Sequence, residues 1–381
     1  MAERVYLHIG SPKTGTTYIQ DALWAHEPRL RAAGVLVPGG RRFAAFHAAQ
    51  AIREVPWLED MPPGRRDVWD DMQQRIRAWP GAAVLSHEFL SAATREQAAR
   101  AIEALAPAHV HVVLTARDYV PQLPAMWQET VKMGGRQSLR RYANRVIDGD
   151  KRGPWSRATM DAVAVLDRWS VGLPVQHVHV VTVPVARADP GLLWRRFAGL
   201  CGIDVEQFPA PARISNESLT AVDTELLRRV AAVLPESVQP KRVRHRWLRG
   251  FLAQEVLVGR SGDRPVLDPD TAERARRWAQ ESVLEIHRRG YDVVGDLDDL
   301  VSAPLPGVGS RPAVSDEAVL ESAAVTIGEL VERHMALAAH VDRLAEQLSA
   351  LEAQTSPRAG QDPADGWVGR WQRVLRRSPN R

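Results

Sequence analysis

A short segment near the start of the chain combines residue types that bind phosphate. Two glycines, Gly10 and Gly15, are separated by four residues, and one of these four is Lys13. Two threonines, Thr16 and Thr17, follow the second glycine. Glycines let the backbone approach an anion closely, while lysine and threonine side chains donate hydrogen bonds to its oxygens. The spacing therefore predicts an anion-binding loop.

The elements on either side of this loop are expected to strengthen it. The apolar run at residues 5–9 predicts a buried strand, and the residues from Thr16 onward predict a helix. A helix that starts at the loop presents free N–H groups and the positive end of its dipole to an anion. A plain glycine turn between strand and helix is the alternative. The Walker A loop places its lysine after the second glycine, whereas Lys13 lies inside this loop.

With its lysine inside the loop, the segment resembles the 5'-phosphosulfate-binding loop of sulfotransferases that use 3'-phosphoadenosine 5'-phosphosulfate (PAPS). The resemblance implies that Lys13 stabilises charge on the leaving phosphate oxygen, and that Thr16 and Thr17 bind the 5'-phosphate. It implies PAPS as co-substrate and no metal. The implied PAPS-binding residues of the loop are Ser11, Pro12, Lys13, Thr14, Gly15, Thr16 and Thr17.

A candidate base follows the next buried strand. Residues 82–86 predict a buried strand, which ends in Ser86-His87-Glu88. Ligands of open parallel sheets bind beyond the carboxyl ends of the strands, so Glu88 is expected to face the donor. A Ser-x-Glu at this strand end supplies the general base in several carbohydrate sulfotransferases, including heparan sulfate N-sulfotransferases, which implies the same role here. His87 and His47 are alternative bases, and a helix-start carboxylate without chemical role is the structural alternative.

Two arginines are candidates for the nucleotide. Residues 110–115 predict a further buried strand. Sulfotransferases of the family that the loop resembles have an arginine at this strand end and a serine eight residues later, and both bind the 3'-phosphate. Arg117 matches the arginine, but Ala125 occupies the serine position. A lost hydrogen bond to a charged group costs about 1.5–3 kcal/mol, so an inactive nucleotide-binding scaffold is also open. Arg260, in the glycine-bracketed segment 258–263, matches the basic loop that family members close over the nucleotide.

Predicted strands and helices alternate along the chain, which favours a parallel sheet with helices on both faces. The resemblance implies a three-layer, P-loop-type α/β fold. It also implies sulfuryl transfer to a hydroxyl or amine of a carbohydrate, lipid or small-molecule acceptor. The alternative enzyme is a P-loop kinase or nucleoside triphosphatase, which needs a magnesium-holding carboxylate such as Glu88 or Asp118. The position of Lys13 argues against it.

Composition excludes several classes of protein. The 381 residues carry a net charge of +4 and contain one cysteine, Cys201, so no internal disulfide is expected. The sequence has no apolar run of ~18 residues that could span a membrane, and its first strand leaves no room for a signal peptide. A cytoplasmic location is therefore expected. Scattered arginines without zinc-type spacing do not favour nucleic-acid binding.

The predicted catalytic domain covers residues 1–302, and the proline-rich residues 303–313 predict a linker. Residues 314–354 carry an apolar heptad pattern, which predicts a C-terminal coiled-coil helix and a homo-oligomer. One amphipathic helix packed on its own domain is the alternative. The a positions are Leu320, Ile327, His334, Val341 and Leu348, and the d positions are Ala323, Leu330, Leu337, Leu344 and Leu351.

The tail at residues 355–381 is basic near its end. Residues 366–381 hold five arginines and no acid, and Trp367 and Trp371 share one predicted helical face. Such a segment predicts peripheral contact with the inner membrane face, which would hold the enzyme near a lipid-linked acceptor. The alternatives are a disordered tail, or docking on the acidic helix of the same chain.

Overall fold

The computed structural model describes residues 2–39, 42–150, 155–185, 189, 191–210, 218–301 and 314–355. The chain divides into two compact units, Met1–Ser315 and Asp316–Arg381. The predicted linker and, apart from Thr355, the predicted tail lie outside the described residues.

The described part of the first unit contains a six-stranded sheet in which all strands are parallel. The strand order is β2-β3-β1-β4-β5-β6. This confirms the predicted α/β fold. The strands are β1 (Arg4–His8), β2 (Val35–Leu36), β3 (Ala82–Ser86), β4 (His109–Ala116), β5 (Val178–Thr182) and β6 (Asp292–Val294).

Helices connect the strands of the first unit, and a single long helix forms the described part of the second. In addition, His245–Leu257 is a π-helix. The α-helices are α1 (Thr16–Ala25), α2 (Glu27–Ala32), α3 (Arg42–Ile52), α4 (Pro63–Arg66), α5 (Val68–Ala78), α6 (Arg95–Glu103), α7 (Tyr119–Lys132), α8 (Leu139–Ile147), α9 (Arg157–Met160), α10 (Ala162–Trp169), α11 (Leu192–Leu200), α12 (Ala221–Val233), α13 (Lys241–Arg244), α14 (Pro269–Arg289) and α15 (Asp316–Thr355).

Helices cover both faces of the sheet, because alternate strand residues point to opposite sides. Val5 and Leu7 of β1 pack in one core with apolar residues of α3, α5, α6, α10 and α14. Tyr6, between them, packs in a second core with residues of α1, α2 and α11. The predicted three-layer arrangement is therefore confirmed. None of the described helices is long and apolar enough to cross a membrane.

The central strand β1 positions the predicted loop. It pairs with β3 on one side and β4 on the other, with His8 opposite Ser86 and Val113. The backbone N–H of His87 donates to the His8 carbonyl over 3.1 Å, so β3 and β1 end at the same level. The loop after β1, Glu88 after β3 and the segment after β4 therefore meet at one edge of the sheet.

Candidate functional site

The two loop glycines are required by the local geometry. A Cβ on Gly10 would lie 2.7 Å from the Oγ1 atoms of both Thr115 and Thr16, so only glycine fits. Gly15, the residue before α1, has a φ of 87°, and a Cβ there would collide with Leu193. The backbone therefore runs close to β4 and turns sharply into α1.

Neighbouring elements hold the backbone of the loop in place. The Ser11 hydroxyl donates to the carbonyl of Thr159 over 3.2 Å. The Gln122 side chain on α7 donates to the Pro12 carbonyl over 2.7 Å. Ser11 is buried, so its hydroxyl is committed to this contact from α9. The contacts tie the loop to two helices that lie more than a hundred residues further along the chain.

Lys13 has an unusual backbone conformation. Its φ is 65°, in the left-handed region that side chains with a Cβ seldom adopt. Such a conformation costs on the order of 1–3 kcal/mol and persists where the surroundings enforce it. Arg117 provides part of that enforcement, because its guanidinium donates to the Lys13 carbonyl over 3.1 Å. Arg117, predicted to bind the 3'-phosphate, therefore stands at the loop.

A buried polar network supports the loop from below. His8 Nδ1 lies 2.8 Å from Ser86 Oγ, and Nε2 lies 3.1 Å from Thr115 Oγ1. Thr115 Oγ1 also lies 2.6 Å from Thr14 Oγ1, and the Thr14 hydroxyl donates to the Ser11 carbonyl over 2.6 Å. Thr115 must then donate to Thr14 and accept from Nε2, which leaves Nδ1 to accept from Ser86. Burial lowers the pKa of His8 to about 3, so the imidazole is neutral.

The start of α1 offers unused hydrogen-bond donors. No side chain caps the helix at Gly15, and its first turn holds no acidic residue. The Thr16 hydroxyl is buried and has no hydrogen-bond partner. An unmade buried hydrogen bond costs about 1–3 kcal/mol, which an anion oxygen at this point would recover. Thr17 lies beside it with an exposed side chain. These residues fit a phosphate or sulfate group.

Three cations surround one carboxylate next to the loop. Lys13 Nζ donates to Glu129 Oε1 over 2.8 Å, and Lys132 Nζ donates to the same oxygen over 3.1 Å. Arg249 NH2 lies 3.4 Å from Glu129 Oε2. Burial alone would raise the pKa of Glu129, but the nearby Lys13 and Lys132 outweigh it and hold the pKa at about 2. We call Lys13, Lys132, Arg249 and Glu129 the cationic cluster.

Glu88 has an oxygen without a donor. It begins a short 3-10 helix, Glu88–Ala92, directly after His87. Its Oε2 is buried and has no hydrogen-bond partner. His87 Nδ1 lies 3.8 Å away, but it accepts a hydrogen bond from the N–H of Phe89. Because an accepting ring nitrogen carries no proton, Nδ1 does not donate to Glu88. The carboxylate is thus able to accept a proton or hydrogen bond from a ligand.

The two alternative bases lie in an aromatic cluster beside Glu88. The ring centroids of His87 and Phe89 are 5.3 Å apart, and Phe89 stacks on Trp155 at 5.2 Å. Phe46 contacts both His87 and His47, with centroid distances of 5.7 and 5.3 Å. His47, on α3, is only 8% exposed, and burial lowers its pKa. The structure therefore brings His47 and His87 together at this edge of the sheet.

Arg260 and Ala125 have other surroundings. Arg260 NH1 lies 3.1 Å from Asp223 Oδ1 on α12, so the arginine is ion-paired there and its role over the nucleotide stays a prediction. Ala125, half-buried on α7, lies one turn before Glu129 and so shares its helix face. Within the described residues, no three His, Cys, Asp or Glu side chains form a group that could hold a metal ion.

Sequence reasoning missed several contacts of the site. Gln122 and Thr159 hold the loop, and Lys132 and Arg249 complete the cationic cluster. Glu129 and Lys132 are three residues apart on α7, a spacing that favours an ion pair on a helix. The other contacts join residues more than a hundred positions apart, for which the sequence carries no signal.

Comparisons with known proteins add little to this geometry. No protein-family model matches the chain, and no curated protein matches its sequence. One solved structure that it resembles is a sulfotransferase from Alicyclobacillus acidocaldarius, with 15% sequence identity and a TM-score of 0.38. The match covers 55% of this chain and 85% of that chain. A likeness of this size does not establish a common activity.

Proposed function

We propose that this protein is a sulfotransferase that moves a sulfuryl group from PAPS to a hydroxyl or amine of a carbohydrate, lipid or small-molecule acceptor. The observation that carries the proposal is the loop, with Lys13 inside it and the unpartnered Thr16 hydroxyl at the uncapped start of α1. These features fit a phosphate or phosphosulfate anion. The position of the lysine distinguishes the loop from a Walker A loop.

Different residues around the loop would bind different parts of PAPS, which supplies the activated sulfuryl group. Thr16, Thr17 and the first N–H groups of α1 would bind the 5'-phosphate. Arg117, which already contacts the loop, would bind the 3'-phosphate. Lys13 would stabilise the charge that develops on the leaving phosphate oxygen, where a fixed cation contributes most to the rate.

Glu88 would act as the general base. Its buried oxygen without a donor can accept the proton of the acceptor hydroxyl or amine. Its place at the end of β3, beside the end of β1, puts it at the same edge of the sheet as the loop. His87 and His47 are the alternative bases, and both stand in the adjoining aromatic cluster.

The ion pair between Lys13 and Glu129 is compatible with this role. If Lys13 turns towards a ligand, Glu129 still has Lys132 and Arg249 as counter-ions. The carboxylate is then not left buried and unpaired, which would be strongly unfavourable. Lys13 is the most exposed of these side chains, with 36% of its side chain accessible.

A thermal-shift experiment with two nucleotides tests the proposal. Adenosine 3',5'-bisphosphate should raise the melting temperature in the absence of magnesium, because the loop binds the phosphate with protein donors alone. ATP should raise it much less, with or without magnesium. A larger and magnesium-dependent shift with ATP would overturn the proposal in favour of a P-loop kinase or nucleoside triphosphatase.

A further inference from the structure

The C-terminal helix α15 carries an exposed apolar seam. Within residues 316–351, ten large apolar side chains are exposed, and seven of them occupy heptad positions a or d. Each of the seven is between 44% and 73% exposed. They are Leu320, Ile327, Leu337, Val341, Leu344, Leu348 and Leu351.

This seam needs a partner to be stable in water. Every residue from 331 to 351 is exposed, so this half of α15 gains no stability from packing within the described chain. A helix draws most of its stability in proteins from the packing of its apolar face. Burying one leucine or valine side chain contributes about 1.5–3 kcal/mol, so covering the seam would stabilise the helix substantially.

The residues of the seam favour a two-stranded, parallel pairing. Ile327 and Val341 are β-branched residues at a positions, and leucine fills four of the five d positions. β-branched residues at a with leucine at d favour parallel dimers. His334 is a polar residue at the central a position. A polar residue at one a position fixes the register, because only the in-register pairing places it opposite its counterpart.

The charges of α15 indicate that the partner is the same helix. Residues 314–354 carry eight acids and two arginines, so two copies should repel if the acids flanked the seam. Of the flanking e and g positions between residues 324 and 347, only Arg333 is charged. Five acids instead occupy the outer b, c and f positions: Glu321, Glu329, Glu332, Asp342 and Glu346. Between residues 324 and 347 the seam therefore lacks the acidic flanks that a basic partner helix would need, and it admits its own copy. Glu317 and Glu352 occupy e positions only at its two ends.

We propose that α15 pairs with α15 of a second copy of the chain as a parallel, in-register coiled coil, which joins two copies into a dimer. Leu337, Leu344 and Leu351 would pack against the same residues of the second copy. The two His334 side chains would lie side by side at the centre. The proposal does not depend on the activity of the first unit.

Sedimentation of the full-length protein tests the pairing with two matched variants. Leu344→Asp places a charge in the seam, whereas Met335→Asp places the same charge at an outer b position. Both side chains are exposed in the single chain, at 44% and 66%, so a monomer would treat the two changes alike. The wild type and Met335→Asp should have twice the 42.3 kDa chain mass, and Leu344→Asp should have the mass of one chain. A monomeric wild type, a trimer or tetramer, or equal masses for the two variants would overturn the proposal.

Cross-linking through an introduced cysteine tests the orientation. The native Cys201 is buried, with 2% of its surface accessible, so an introduced cysteine is the reactive one. In a parallel pairing, equivalent a positions lie within the ~4.4–6.8 Å Cα separation that a disulfide spans. Full-length Val341→Cys should therefore form a covalent dimer on mild oxidation, and Met335→Cys should not. A dimer in which Val341→Cys does not cross-link would contradict the parallel, in-register arrangement.

Discussion

Lys13 and Glu129 join the loop to α7 through an ion pair in which Nζ donates to Oε1 over 2.8 Å. The two ends differ in burial: Lys13 keeps 36% of its side chain accessible, whereas Glu129 keeps 13%. Glu129 also holds Lys132, which is 1% exposed. Glu129 therefore pairs with one buried cation, Lys132, and with one exposed cation, Lys13, whose side chain has room to turn towards a ligand. A bound anion at the loop would compete with Glu129 for Lys13.

We predict that Glu129→Gln strengthens the binding of adenosine 3',5'-bisphosphate and destabilises the protein. Affinity should rise because Lys13 no longer has a competing carboxylate. Stability should fall by about 3–5 kcal/mol, the usual cost of breaking a buried ion pair, such as that of Glu129 with Lys132, by removing one partner. Calorimetric titration measures the first effect and thermal unfolding the second.

The control for this variant is Glu54→Gln, which removes a carboxylate from an ion pair with Arg100 in which both side chains are more than half exposed. It should change neither the affinity nor, by more than about 1 kcal/mol, the stability. Weaker bisphosphate binding by Glu129→Gln would show instead that Glu129 positions Lys13 for the ligand. That result would contradict the proposal that the Glu129 carboxylate competes with the anion for Lys13.

A second prediction concerns the unpartnered hydroxyl of Thr16. Thr16→Val replaces it with a methyl group of similar shape, so the free protein should be as stable as the wild type or more stable. Bisphosphate binding should weaken by about 10- to 150-fold, because a hydrogen bond to a charged group contributes about 1.5–3 kcal/mol. Thermal unfolding with and without the bisphosphate measures both effects in one experiment.

Two further substitutions control for shape and position. Thr16→Ser keeps the hydroxyl and should bind like the wild type. Thr17→Val changes the neighbouring exposed threonine, and it should leave the stability of the free protein unchanged. If Thr16→Val lowers the stability of the free protein, the hydroxyl already has a partner there, and no anion is needed at this point.

The third prediction assigns the base. Glu88→Gln removes a proton acceptor while keeping the shape of the side chain, so bisphosphate binding should stay nearly intact. Turnover from PAPS should fall by ~100-fold or more with any acceptor that supports activity, the usual scale for a general base. His87→Gln and His47→Gln are the comparisons. If either histidine variant loses this activity while Glu88→Gln keeps it, the base is that histidine.

The loop could be predicted from the sequence because its geometry is local. The close contacts of Gly10 with Thr16 and His8 and the positive φ of Gly15 lie within a few residues, and the mostly apolar residues 5–9 indicate the strand. The helix α15 could also be predicted, because its apolar residues repeat every seven positions. By contrast, β6 was missed: it has three residues, of which Asp292 is polar, and such a short strand has no readable period.

The partners of the loop could not be predicted, since they depend on how distant elements pack. Lys13 and Glu129 lie 116 residues apart, and Arg249 lies 120 residues beyond Glu129. A single sequence gives the types of these residues but not the faces on which they meet. His8 and Thr115 are a partial exception. Polar residues at the ends of apolar strands are usually hydrogen-bonded to one another or to a ligand when buried.

The last prediction is a loss of stability in mild acid, with His8 as a main cause. Burial lowers the pKa of His8 from 6.5 to about 3, so between these values the unfolded chain binds a proton that the folded protein does not. The contribution of His8 to the free energy of unfolding is therefore fully present above pH 6.5. It falls by about 1.4 kcal/mol for each unit by which the pH drops below 6.5, down to about pH 3. His111, whose pKa is lowered to about 4 mainly by burial, acts in the same direction.

Glu129 adds a separate loss at lower pH, because its pKa falls from 4.5 to about 2 and its stabilisation disappears as pH drops through that range. Thermal unfolding from pH 8 to pH 4.5 isolates the histidines. His8→Gln should unfold at a lower temperature at pH 8, because the polar network is disturbed, yet lose less stability than the wild type between pH 6.5 and 4.5. Glu129→Gln should keep the wild-type slope in this range. An unchanged slope in His8→Gln would show that His8 is not a source of the acid sensitivity.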